Sequence, residues 1–197
     1  MKTVEDKKTQ IINAAVEVFA KQGLEKGKIA DIAKVAGIGK GTIYEYFKSK
    51  DEIFGAIENM FIGDSVSQID KLANSKKTPR KKLEEIVNYN LNMHGLMGDA
   101  AYIIAELWAQ HSREQLQGHK ESHFANMYSY FYDTVINILD EGIKANEFRK
   151  MDKNGIATLL LALIDGIIWQ SVIFKGDMEF NLKIQAAIKS FMEGIKK

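Results

Sequence analysis

Between Lys40 and Tyr46 the chain carries an ammonium group on Lys40, a hydroxyl on Thr42 and phenols on Tyr44 and Tyr46. On a helix over this run, Ile43 and Phe47 at i and i+4 turn inward and leave those polar groups facing out. Cations, hydroxyls and phenols bind phosphate oxygens and base edges, so the chemistry is recognition of a nucleic acid. Gly41 lets the backbone come close to a phosphate. Glu45 either repels phosphate unless turned aside or accepts a hydrogen bond from cytosine.

The elements that must position these groups are written around them. Ile29, Ile32, Ala33 and Ala36 recur at i, i+3, i+4 and i+7, which gives a first helix one apolar stripe, with small Ala33 allowing a second helix to cross closely. Gly37 ends that helix, because glycine takes the left-handed conformation a helix C-terminus often needs, and Ile38 can pack back into the corner. Lys28 to Phe47 therefore reads as two short helices around a glycine-centred turn. Ser49 followed by Glu52 is a capping box that starts the next helix directly after the recognition run.

From Thr9 to Phe54 the chain resembles the N-terminal helix-turn-helix of the TetR/AcrR family of bacterial transcriptional regulators. A preceding helix with Ala14, Ala15, Phe19 and Gly23 leads into DIAKVAGIGKGTIYEYF, and SKDEIF opens the following helix. The resemblance implies an all-α protein of about nine helices, in which a three-helix DNA-binding head joins a larger ligand-binding and dimerisation body. It also implies Lys40 and Thr42 as contacts to base edges, Tyr44 and Tyr46 as contacts to phosphates and thymine methyls, and Lys28 and Lys50 as phosphate anchors. Two places depart from the family pattern. Where Thr or Ser often precedes each helix of the motif, this chain has Gly27-Lys28 and Gly39, so a side-chain phosphate contact from position 39 is lost.

Composition allows this reading without demanding it. The 197 residues are 46% hydrophobic, enough for one ordinary core or a small module joined to a larger one, and the net charge is only +1. The charge is unevenly placed: residues 1 to 50 hold ten Lys and six acids, for +4, and the remainder carries −3. Such modest polarity points to two copies acting together on DNA. With no cysteine and no apolar signal core in MKTVEDKKTQ, a reducing cytoplasm is the expected setting. Ile156 to Phe174 is long enough to span a bilayer, but Asp165 at its centre costs about 2.5–3.5 kcal/mol there, so a helix buried in protein is expected and no membrane partner.

The pattern is helical throughout, and NSKKTPR, Asn74 to Arg80, is the best boundary, with Thr78 and Pro79 starting a new helix. This divides the chain into a DNA-binding domain over 1–50, a connecting helix and linker over 51–77, and an effector-binding and dimerisation domain over 78–197. In the last of these, Tyr89, Met93 and Met97 form a stripe at i, i+4 and i+8, and Trp108, Met127, Phe131 and Trp169 add large apolar surfaces. Stripes of this kind are usually core; the functional reading is a pocket of soft and aromatic groups for an effector. Asp165 needs a hydrogen-bond partner, a water or a ligand, and is counted with that pocket. Leu161, Ile164 and Ile168, then Ile184, Ile188 and Phe191, offer more apolar surface than one helix pair covers, which suggests a four-helix bundle between two subunits.

His119 and His123 in HKESH share a helix face, but Lys120 stands where a zinc-protease motif needs glutamate, so no metal site is assigned. With neither a glycine-rich phosphate loop nor a nucleophile-and-base set, no cofactor and no catalysis are expected. The sequence thus reads as a homodimeric regulator, a repressor released from a palindromic operator by a small, largely apolar effector. The alternative is an architectural or division-linked DNA-binding protein controlled by a protein partner.

Overall fold

A computed structural model describes residues 4–97, 101–117, 123–174 and 177–197, with side chains throughout these except at 91–97, 101–102 and 171–172. In chain order the helices are α1 (Val4–Lys26), α2 (Ile29–Ala36), α3 (Lys40–Tyr46), α4 (Lys50–Ala73), α5 (Pro79–Met97), α6 (Ala101–Leu116), α7 (His123–Lys144), α8 (Lys153–Ile173) and α9 (Met178–Ile195). The described residues form no strand, and only an isolated bridge joins Phe148 to Lys196. The protein is all-α, as its periodicity requires.

The helix ends follow from local chemistry. In the capping box, the Ser49 hydroxyl accepts from the Glu52 N–H at 3.1 Å while the Glu52 carboxylate accepts from the Lys48 N–H at 2.6 Å. Asp152 and Asp177 cap α8 and α9 in the same way, each accepting from an N–H of the first turn. Gly37 sits at φ 65°, ψ 34°, its N–H bonded to the Lys34 carbonyl, and the next N–H, from Ile38, reaches back to Ala33 at 3.0 Å. These two bonds complete a Schellman turn. A third carbonyl at this end, that of Ala36, accepts from the Gln10 amide at 2.6 Å, which pins the corner to α1.

Two compact units result. The first comprises Met1–Asp64 and Met97–Phe124, the second Ser65–Leu96 and Ala125–Lys197. In the first unit, Ile11, Ala15, Val18 and Phe19 of α1, Ile32 and Ala33 of α2, Ile43 of α3 and Ile53, Phe54 and Ile57 of α4 are buried together with Phe47. Gly23 breaks α1 in a conformation (φ 77°, ψ 160°) reserved for glycine, leaving one turn before α2. The second unit is built on Leu83, Ile86 and Val87 of α5, Val135, Ile138 and Leu139 of α7, Leu160, Leu161 and Ile164 of α8, and Met192 and Ile195 of α9.

This division differs from the one suggested by the linker composition. Asn74 to Arg80 is a turn inside the second unit, tied down where the Arg80 N–H donates to Glu147 and its guanidinium pairs with Glu84 and Glu193. Helix α6 belongs with the first unit because it packs on α1, a tertiary contact that leaves no mark on local composition.

At Gly37 an added Cβ would meet open space, so a side chain there is opposed by the backbone alone. Gly37→Ala is expected to lower unfolding stability by about 1–2 kcal/mol, measured by denaturant titration, with Gly37→Asn costing less.

Candidate functional site

The side chains of α3 fall into three sets. Ile43 and Phe47 are buried, while Lys40 and Tyr44 lie along one flank and Thr42 and Tyr46 along the other. The Lys40 ammonium stands 5.8 Å from the centre of the Tyr44 ring, a cation–π arrangement that holds both on that flank. Both line a cleft of about 770 Å³ together with Lys26, Lys28 and Lys50 and the first turn of α2. Gly41, Thr42 and Tyr46 do not border this cleft.

Its electrostatics favour an anion. Four ammonium groups, on Lys26, Lys28, Lys40 and Lys50, face two carboxylates, on Glu25 and Asp31. The α2 N-cap is Lys28, whose side chain makes no capping bond, so the first N–H groups of that helix open on the cleft. An uncapped helix start beside ammonium groups is an arrangement that favours an anion. Gly27 also borders the cleft, and an added Cβ there would lie 2.6 Å from the Phe19 ring. A side chain at position 27 therefore does not fit, which accounts for the glycine there, while the capping position itself is held by Lys28.

Lys50 has a role beyond the phosphate contact expected of it. Its ammonium donates to the carbonyls of Leu24 and Glu25 at 2.7 and 3.0 Å, closing the last turn of α1. An ammonium has three donors, so one remains for an anion in the cleft. Lys26 was not singled out in the sequence; its place two residues before Lys28, on a turn that the Gly23 break re-aims, becomes visible only in the fold.

The residues expected to line an effector pocket are dispersed. Tyr89 and Phe131 pack against the core of the second unit, and Met127 is buried. Trp108 lies in the first unit, edge-on to Phe124 at 6.4 Å, and the side chains of Met93 and Met97 fall outside the described residues. Trp169 is on the outer side of α8. Asp165 has the partner its apolar helix demands: the Tyr128 hydroxyl donates to its carboxylate at 2.8 Å. Burial raises the Asp165 carboxyl above the usual carboxylate range, partly offset by that hydrogen bond, and burial with the neighbouring carboxylate pushes the Tyr128 phenol up.

The apolar residues expected between subunits are also redistributed. Leu161 and Ile164 are buried in their own unit, and Ile168, Ile188 and Phe191 pack against that core. Ile184 is half-buried. The outward stripe on the same two helices consists instead of Leu159, Trp169 and Ile173 on α8 and Met178 and Leu182 on α9, the last two 81% and 64% exposed. His119 lies outside the described residues and His123 is exposed. Among the described residues no helix is long and apolar enough to cross a membrane.

Residues 11–57 match the family of bacterial regulatory proteins of the tetR type. Over 184 residues, 92% of this chain and 91% of its counterpart, the sequence is 29% identical to the fatty acid metabolism regulator protein of Bacillus subtilis. In structure it is similar to a putative transcriptional regulator from Saccharomonospora viridis in complex with choline, with a TM-score of 0.83, 23% identity and coverage of 98% and 99% of the two chains. It is also similar to the regulator FadR from Bacillus subtilis in complex with stearoyl-CoA, with a TM-score of 0.70, 23% identity and coverage of 95% and 98%. Both likenesses establish a shared fold.

The raised carboxyl sets a pH dependence. An acid whose pKa is raised on folding weakens the fold as pH climbs from its unfolded value through its folded one. Asp165→Asn keeps an acceptor for Tyr128 and removes that loss, so its stability relative to the parent should rise as pH climbs from the ordinary carboxylate range toward neutrality in thermal unfolding. A difference that stays flat over this range would refute the account of Asp165.

Proposed function

Because the chain belongs to the TetR family of bacterial transcriptional regulators, a group of DNA-binding proteins, we propose that it acts as a homodimeric repressor. It binds a palindromic operator and leaves it when a fatty acyl compound enters each subunit. The observation that carries the DNA half is the lysine-lined cleft at the open start of α2, beside α3. Lys28, Lys40, Tyr44 and the spare donor of Lys50 hold phosphates of one strand there. With those groups fixing the register, Gly41, Thr42 and Tyr46 are left to meet the major groove. Lys40 thus serves phosphate, not the base edge its position in the motif implied.

Two copies are needed because a head with a charge of +4 makes few phosphate contacts alone. The exposed apolar stripe of α8 and α9 supports pairing, since solvent contact with Leu159, Ile173, Met178 and Leu182 is unfavourable unless something covers them. Paired through α8 and α9, two subunits present two copies of α3 to half-sites related by a two-fold axis.

The effector class rests on the full-length likeness to a regulator of fatty acid metabolism, which extends well beyond the head. A long-chain acyl-CoA suits a body whose α8 is apolar on nearly every face. Helix α4 is continuous from Lys50 to Ala73 and follows α3 after three residues, so moving its far end changes the separation of the two heads. Switching from 1:99 to 99:1 requires about 5.5 kcal/mol of preference for one state.

Operator sequences selected from random duplexes, followed by fluorescence anisotropy, test this. Stearoyl-CoA is expected to weaken operator binding about 5- to 150-fold, with coenzyme A alone inactive. If stearoyl-CoA binds and leaves operator affinity unchanged, the induction half fails while DNA binding stands. Lys28→Ala should weaken all sequences alike and reduce the salt slope by about one unit. The double substitution Met178→Glu with Leu182→Glu is expected to yield monomers in sedimentation velocity; a dimer unaffected by it would place the interface elsewhere.

A further inference from the structure

The outermost side chain of α3 is neither a cation nor a hydroxyl but Glu45. At about 100° per residue it lies opposite both Ile43, two positions before it, and Phe47, two positions after, and these two are the buried anchors of the helix. Glycine at position 41, one turn earlier on the same face, leaves the carboxylate unscreened by any neighbour along the helix. It is exposed and has neither a hydrogen-bond nor an ion-pair partner among the described residues. Lys48, the nearest cation C-terminal to it in sequence, stands beyond the C-cap Phe47 and is not paired with it.

An acid at the tip of a helix presented to DNA is disfavoured by every phosphate nearby, and removing it to the solvent side would take only a one-position change in the pattern. The flanks of α3 already hold Lys40 and Tyr44 on one side and Thr42 and Tyr46 on the other, so Glu45 is the side chain that projects between them. A carboxylate accepts hydrogen bonds and donates none. On the major-groove edge, guanine offers acceptors at O6 and N7, thymine an acceptor and a methyl, and adenine a donor at N6 beside the acceptor N7. Cytosine alone offers the N4 amino donor without an adjoining acceptor on its own base.

We propose that Glu45 is a specificity-determining residue that accepts a hydrogen bond from the N4 amino group of a cytosine in each half-site. The inference rests on the reading of α3 as the groove-facing helix of a DNA-binding regulator. It assigns the lysines to affinity and the acid to choice: Lys28, Lys40 and Lys50 attract any duplex, and Glu45 repels all of them except where an amino group is placed to meet it.

The test is selection of duplexes from a random pool by the full-length protein, its Glu45→Gln variant and its Glu45→Ala variant, with affinities measured on single-base substitutions of the parent operator. The parent should fix cytosine at one position of each half-site and discriminate against the other bases about 5- to 150-fold there. Glu45→Ala should lose discrimination at that position, keep it elsewhere, and bind unrelated duplexes more tightly than the parent does. Glu45→Gln, which pairs with adenine N6 and N7, should move the preference toward adenine. An alanine variant that enriches the parent motif unchanged overturns the inference alone, as does one that tightens binding to all sequences with no change of preference. A parent protein that enriches no motif overturns the DNA-binding reading, and this inference falls with it.

Discussion

The Phe19 ring fixes where the parts of the head are allowed to be. It is 2% exposed, meets Phe54 of α4 edge-on at 6.3 Å, and lies where a Cβ of residue 27 would otherwise stand. One aromatic side chain on α1 thereby sets the distance to the start of α2 and the anchoring of α4. A smaller residue would leave a void in a core of few side chains, and a residue other than glycine at 27 would displace the ring. The Schellman turn at Gly37 then fixes the angle between α2 and α3 within that frame. The lysine cleft exists because these two constraints are met together.

In the proposed complex, affinity and choice use different parts of the same short helix. The ammonium groups collect on the flank of α3 that faces α2, where helix N–H groups add to their field, and the opposite flank carries hydroxyl and phenol. Charge alone would have suggested a weak binder, since the whole chain is close to neutral. What matters is the local density of cations around one open helix start. In the proposed dimer, pairing would multiply a modest local interaction and make the geometry between copies a sensitive control point.

The sequence exposed most of the head and less of the body, for physical reasons. Helix boundaries at Gly37, Ser49 and Thr78 depend on residues within four positions of one another, so local chemistry is enough to read them. The partner of Asp165 is 37 residues away on α7, and no spacing rule reaches that far. The outward face of α8 was misplaced because Leu159, Leu160, Leu161, Leu163, Ile164, Ile167 and Ile168 are apolar in near-succession, so periodicity does not select a side. Only packing against α5, α7 and α9 decides that Leu161 turns in and Leu159 turns out. The structural role of Lys50 is hidden for a similar reason, since its carbonyl partners belong to a different helix.

The uncapped start of α2 has a consequence for evolution of the head. The Phe19 ring excludes any side chain from position 27, and position 28, where a cap would sit, holds a lysine that makes no capping bond. A backbone donor left open in this way is met by water or by an anion. In the proposed complex a phosphate of the nucleic acid would take that place, supplying the acceptor that the polypeptide omits. Drift at Phe19 or Gly27 would therefore disturb the packing of the head and the approach of that acceptor together.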